Sequence, residues 1–431
     1  MVAAVLVLAA CKSTGESVGA GTTTVPRGAG GGTTGTSVAV AADPRAPGVT
    51  ADTIKIGVPY VDLSAIKDVI NLDNGDPVTS YQAIVDDINA KGGINGRKLE
   101  PIFAPINPVG TAASDAACTK LTQDDPVFVT VGFFLGDGVL CYVDTNGTAV
   151  IGGNMTAEAL AKAKAPWFST DPSDEIEADV VRAQGRAGRL DGKLAVVAAV
   201  ANEKVLNDLV QPVLDDLGIK PVATAILDAP PSDPAATQAA AQTIAEKFKS
   251  AGADKVLVVG QSGPPSLLPG LAKTDYRPQF VFSNQSGALA FATASGNDLT
   301  LLKGAVTAGM YGPDDDRFAL GGPTKECLDV ERKAGLEIEQ PSQVAKGQPN
   351  QFLSSGPACI QMALLKAILQ KAGRDLDYGT FAAAGHSLGS IVLPGAPDPF
   401  TYGPGSQADG DPKIYVFASD PERSDFVRRD G

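Results

Sequence analysis

The apolar positions of this chain switch repeatedly between two periods. Ile54-Lys55-Ile56-Gly57-Val58 alternates and reads as a strand. Val78, Tyr81, Ile84, Val85 and Ile88 then recur at helical spacing and make one apolar stripe. Gly92-Gly93 ends that helix, because glycine tolerates the left-handed conformation that a helix stop often needs. Asn95-Gly96 signals a tight turn, and residues 98–103 resume as a strand. Strand, loop, helix, strand is the opening unit of a parallel α/β sheet.

The alternation continues along the chain. Residues 127–131 and 149–152 are short apolar strands, of the kind buried on both faces of a parallel sheet. Pro166 and Pro172 flank a crossing segment. A second block follows, with strands at 194–200, 255–259 and 279–282. Between the first two, Val205, Leu206, Leu209, Val210, Val213, Leu214 and Leu217 form a helical stripe. Residues 305–310 leave this block in an extended segment, a long apolar helix spans about 354–371, and 413–417 is a last strand. No internal repeat of 20–50 residues is visible.

The helix from Tyr81, the run Gly92-Gly-Ile-Asn-Gly-Arg-Lys-Leu-Glu100 and the flanking strands resemble the start of the branched-chain amino-acid-binding proteins. These are type I periplasmic solute-binding proteins of ABC importers. The resemblance covers about residues 51–420. It implies two α/β lobes, each a mostly parallel sheet flanked by helices, joined by a three-segment hinge around a cleft. Lobe 1 would use 51–168 and 310–395, and lobe 2 would use 169–309 and 396–431.

Length and composition agree with this plan. The 431 residues suffice for two domains, with 44% hydrophobic and 19% charged residues. A net charge of -14 argues against nucleic acid and against a basic grip on anionic lipid. At the N-terminus, Leu8-Ala9-Ala10-Cys11 matches the bacterial lipoprotein cleavage box. Residues 1–10 then read as a signal segment whose true start lies upstream, since no positive charge precedes the apolar run. Cys11 would carry lipid. Residues 11–50 would be a Gly/Thr/Ser tether too poor in large apolar residues to form a core. The expected location is the outer face of the cell membrane.

The other four cysteines support an oxidising compartment. Cys118 lies on a helix and Cys141 past the next strand, where the resembled family has a similar bridge. Cys327 and Cys359 lie on separate helices. The expected pairs are Cys118–Cys141 and Cys327–Cys359; four buried free thiols are the alternative.

Gly385-His386-Ser387-Leu388-Gly389 matches the nucleophile elbow of α/β-hydrolases. That fold needs a histidine base after the serine, and the chain's single histidine is His386 itself. The residues before it also read as a helix, not the required strand. A helix end stopped by Gly389 is expected, and not an enzyme. Neither a zinc pattern nor a phosphate loop is present, so no cofactor and no metal are expected. Asp314-Asp315-Asp316 reads as solvated surface.

In open α/β sheets, ligands bind at the carboxyl ends of strands. The candidates on the first lobe are Tyr60, Ser64, Phe133, Phe134, Leu135, Asn154 and Thr156. On the second they are Asn202, Gln261, Asn284 and Gln285. Phe134 could instead be core. The family's amino-acid binders hold the ligand ammonium with an acid and aromatics on the second lobe, where this chain offers Asn284 and Gln285. A neutral, partly apolar small molecule is therefore expected, with an amino acid left open. The implied partner is an ABC transporter permease, and a monomer is expected. A ligand-sensing receptor, or a degenerate surface lipoprotein of the same fold, are the alternatives.

Overall fold

Strands buried on both faces are apolar at nearly every position, and several strands of this chain's two sheets are of that kind. A computed structural model describes residues 46–428 apart from 64–72, 109–111, 154, 172, 230–232, 294–295, 346–347, 404–409, 411–412, 421 and 423–424. Cys11, the signal segment and most of the expected tether lie outside the described residues. In the first sheet, β1 (Thr53–Val61), β2 (Lys98–Ile106), β3 (Val129–Val131), β4 (Ala149–Ile151) and β5 (Trp167–Phe168) are all parallel, in the order β2-β1-β3-β4-β5.

The second sheet holds β6 (Leu194–Ala199), β7 (Ala223–Leu227), β8 (Lys255–Val259), β9 (Gln279–Phe282) and β10 (Val306–Gly309), again parallel. A two-stranded antiparallel sheet, β11 (Gly389–Ile391) and β12 (Phe400–Tyr402), comes next in the chain. Antiparallel β13 (Tyr415–Asp420) and β14 (Asp425–Arg428) then complete the second sheet, in the order β14-β13-β10-β9-β8-β6-β7. Its two faces bury alternate residues. Val256, Val258, Phe280 and Phe282 join one core, and Leu194, Val196, Leu257 and Val281 the other.

The turn that carries the resemblance has a physical cause. Asn89, near the helix end, donates from Nδ2 to Leu99 O at 2.9 Å and accepts from Leu99 N at 2.8 Å. Gly93 turns with φ 75°. A Cβ there would lie 2.0 Å from Arg97 O, so only glycine fits. Ile94 is buried beneath the turn.

The first core draws helices Pro77–Ala90, Phe352–Ala372 and Tyr378–His386 against the first sheet. Phe400 and Tyr402 also belong to it, beyond the residue 395 expected to end that lobe. Residues 46–50, expected to be tether, are packed instead. Ala46 and Val49 are buried, and Lys55 N donates to Gly48 O at 2.7 Å. Both expected disulfides are present, Cys118–Cys141 and Cys327–Cys359.

The elbow-like motif is a helix end. Ser387 Oγ donates back to Ala383 O at 2.6 Å, and Gly389 has φ 82°. Asp315 is partly buried, accepting from Ser342 N at 2.8 Å and Gln340 Nε2 at 3.1 Å, so the acidic triplet anchors a turn as well as meeting solvent.

Candidate functional site

Loops at the carboxyl ends of the two sheets make contact. Glu158 lies in the first turn of helix Ala157–Lys162, after β4, and Lys204 follows β6. Lys204 Nζ meets Glu158 Oε2 at 2.5 Å, so the strand-end loops of the two sheets touch. A second set of contacts joins the crossings between the sheets. The Tyr402 hydroxyl donates to Ser169 O at 2.7 Å, and the Tyr311 hydroxyl to Thr170 O at 2.5 Å. Gln285 Nε2 donates to Tyr311 O at 2.6 Å. Two tyrosines from two crossings thus clamp successive carbonyls of the third.

The expected first-lobe residues separate by role. Tyr60 is half-buried at the end of β1, its hydroxyl pushed up by burial and by Asp62 and Asp76. Phe133 is 54% exposed. Phe134 turns the other way, edge-on to Tyr142 at 5.3 Å, and is buried in the first core. Leu135 packs partly buried against that core. Thr156 Oγ1 accepts from Ala159 N at 3.0 Å and so caps a helix. Ser64 and Asn154 lie outside the described residues.

On the second lobe, Asn202, Gln261 and Asn284 come together around Gly260. Asn202 Oδ1 accepts from Ser262 N at 3.2 Å, Gln261 is exposed, and Asn284 Oδ1 accepts from Gly287 N at 3.0 Å. The residue that organises them is Glu177, which the sequence reading missed. It is 2% exposed, at the start of helix Ile176–Arg186. Its Oε2 accepts from Gly260 N at 2.9 Å and from the Ser283 hydroxyl, and its Oε1 from Asn284 Nδ2 at 3.1 Å. Burial pushes this carboxyl up, and the three hydrogen bonds oppose that.

Two further groups stand at the hinge side. Gln361 projects from the apolar helix Phe352–Ala372 and is 6% exposed. The Tyr81 hydroxyl donates to its Oε1 at 2.7 Å. Its Nε2 lies beside Gly152, where a Cβ would approach it to 3.1 Å. Asp171, on the first crossing, meets solvent yet is walled by protein. That wall pushes its carboxyl up, and Arg317 opposes the shift. Arg317 stacks over the Tyr311 ring at 4.4 Å. A lone glutamine in an apolar helical run was the one available sequence signal for this region. Cys327, Glu331 and Cys359 group donors of the metal-ligating kind, but both sulfurs are consumed by the disulfide.

Comparison with known proteins agrees with this geometry. A family model described as periplasmic binding protein matches residues 53–419. No curated protein matches the sequence. Among solved structures, the chain is similar to a periplasmic binding protein type 1 from Bordetella pertussis Tohama I. That match has a TM-score of 0.62 and 18% identity, covering 88% of this chain and 100% of the other. A solute-binding protein of an ABC transporter from R. palustris, in complex with 4-hydroxybenzoate, gives a TM-score of 0.61 at 13% identity, over 88% and 96% of the two chains. An ABC transporter substrate-binding protein from Desulfitobacterium hafniense, in complex with Leu, gives 0.58 at 14%, over 88% and 100%.

Proposed function

This chain belongs to the periplasmic binding protein family, and from that premise we propose that it is a lipid-anchored extracytoplasmic solute-binding protein. It captures a small molecule between its two sheets and delivers it to an ABC transporter permease. The observation that carries the reading is the meeting of the two carboxyl edges, joined by Lys204 and Glu158. Ligands of open α/β sheets bind at such edges, and here loops from two such edges meet. No chemical step is needed, since closure around the ligand is itself the mechanism.

The ligand-facing residues in this reading are Tyr60 and Phe133 on one side and Asn202, Gln261 and Asn284 on the other. Neighbours in the same fold hold leucine or 4-hydroxybenzoate, so a ligand of comparable size is proposed here. Native mass spectrometry of freshly purified protein, followed by thermal shift against a metabolite library, tests the reading. A retained small molecule, or stabilisation that grows with ligand concentration, supports it. A protein stabilised by nothing in the library would be a degenerate member of the fold. The anchor rests on Leu8-Ala9-Ala10-Cys11. Cys11→Ala, made from the full native start, should release the protein from membranes. A variant that stays membrane-bound contradicts the anchor alone.

A further inference from the structure

We propose that the Cys327–Cys359 bridge is a thiol-exchange site with its own acid: an external dithiol attacks Cys327, and Glu331 protonates the departing Cys359. The proposal is independent of the binding reading. It starts from the unequal burial of the two cysteines. Cys327 is partly exposed on helix Pro323–Lys333, whereas Cys359 is 2% exposed on helix Phe352–Ala372. An incoming thiolate therefore has its approach at Cys327, and Cys359 is the sulfur that leaves. A thiolate released into so closed a site is costly unless it gains a proton.

Glu331 can supply that proton, since its Oε1 lies 3.3 Å from Cys359 Sγ. Which of its oxygens carries the proton follows from the hydrogen bonds behind it. Gln351 Oε1 accepts from Asp76 N at 2.8 Å, so Gln351 Nε2 is turned the other way. That Nε2 donates to Ser80 Oγ at 2.9 Å and to Ser355 Oγ at 3.3 Å. The Ser355 hydroxyl in turn donates to Glu331 Oε2. Oε2 is thus an acceptor, and the carboxylic proton sits on Oε1, toward the sulfur. Burial pushes this carboxyl up to about 6, against Ser355, Ser80 and the charge of Arg332 on its own helix. Tyr81, from helix Pro77–Ala90, shares its field with a hydroxyl that burial keeps neutral. On the neighbouring helix Asp314–Ala319, Asp314 pairs with Arg317 and Asp315 with Ser342 N.

The exchange balances. The external thiolate bonds to Cys327 Sγ as the Cys327–Cys359 bond breaks. The electron pair goes to Cys359 Sγ, and the Glu331 proton joins it. The second thiol of the dithiol then displaces Cys327, so two electrons pass to the protein and the dithiol becomes a disulfide. Above about pH 6 the ionised carboxylate faces the leaving thiolate as a like charge and opposes reduction. The other bridge is a built-in control. Cys118 is buried and Cys141 partly so, but the group 3.5 Å from both sulfurs is the Asn146 amide, which has no proton to transfer.

The test uses the full chain and dithiothreitol across the range from mildly acidic to mildly alkaline pH. Each bridge is followed by alkylation and mass spectrometry, and rates are divided by the thiolate fraction of the reagent. The Cys327–Cys359 rate should rise as pH falls through about 6, and the Cys118–Cys141 rate should stay level. Glu331→Gln keeps a hydrogen-bond donor but no transferable proton. It should slow Cys327–Cys359 about ten-fold or more on the acidic side and flatten its profile, with Cys118–Cys141 unchanged. Ser355→Ala frees Oε2 to take the proton and should slow the acidic-side exchange a few-fold. An unaltered profile in Glu331→Gln overturns the proposal. So does a Cys327–Cys359 bridge that resists the reagent at every pH. A pH dependence common to both bridges would show reduction through unfolding and overturns it equally.

Discussion

Glu331 is fully buried, accepts from the Ser355 hydroxyl and lies 3.3 Å from Cys359 Sγ. Burial pushes its carboxyl up from 4.5 to about 6, against hydrogen bonds from Ser355 and Ser80 and the charge of Arg332. The folded protein therefore holds this proton more tightly than the unfolded chain. Stability from this group is full below about pH 4.5 and is lost as pH rises through about 6. The loss above that window is about 2 kcal/mol. Glu331→Gln should accordingly raise the urea midpoint at pH 7.5 and change it little at pH 4.5. Equal destabilisation at both values would contradict this account. Phe134 makes a second case. Its edge-on contact with Tyr142 places it in the core, so Phe134→Ala should cost the empty protein about 3–5 kcal/mol. A normal melting temperature with weakened ligand binding would show the opposite. The sequence could not separate Phe133 from Phe134, because neighbouring residues after a strand differ only in which way the chain turns. Gln361 was equally hidden, since its partner Tyr81 is 280 residues away.

Elements were legible where burial is two-sided. β8 and β9 are apolar runs because both faces of their sheet are covered, and their positions follow from the sequence directly, whereas β1 is legible by its alternation, with Ile54, Ile56 and Val58 in the first core. The missed strands are those without that signature. β5 has two residues, too few to show a period, β7 and β14 are edge strands with exposed positions, and β11 and β12 are three-residue strands of a separate antiparallel pair. The turn after Ile88 was legible for a different reason, since Gly93 has no tolerated substitute. The disulfides act at this scale too. Cys118–Cys141 spans 23 residues and Cys327–Cys359 spans 32. In the chain-entropy model each contributes about 3–4 kcal/mol. Replacing either pair by alanines should lower the unfolding free energy by that amount, read from denaturant titration, and peptide mapping without reductant should return only these two pairs. Swapped partners would undo the helix placement argued here. The Cys327–Cys359 pair also shields Glu331, so its loss should alter the pH dependence described above, whereas loss of Cys118–Cys141 should not.

Two alternating blocks implied two sheets, but their mutual placement was beyond the sequence, because it depends on contacts between residues of low individual information. Glu158 and Lys204 are exposed, ordinary charges in their local context. Together they join the strand-end loops of opposite sheets at 2.5 Å. Glu158 is also met by Lys162 at 2.9 Å, and the two lysines hold its carboxyl down to about 2. The pair therefore survives across the neutral and mildly acidic range and weakens only as pH falls toward that value. Exposed pairs contribute little to folding. Their consequence here lies in how readily the two sheets part. Glu158→Gln should leave the melting temperature unchanged. It should also raise the ligand dissociation rate a few-fold at low ionic strength and enlarge the ligand-free radius of gyration in X-ray scattering. Salt provides the control. At 1 M the screening length falls to about 3 Å, so the native protein should then release ligand as fast as the variant, and the variant itself should respond little to salt. Equal dissociation rates for the two proteins at low salt would show that this contact does not hold the cleft.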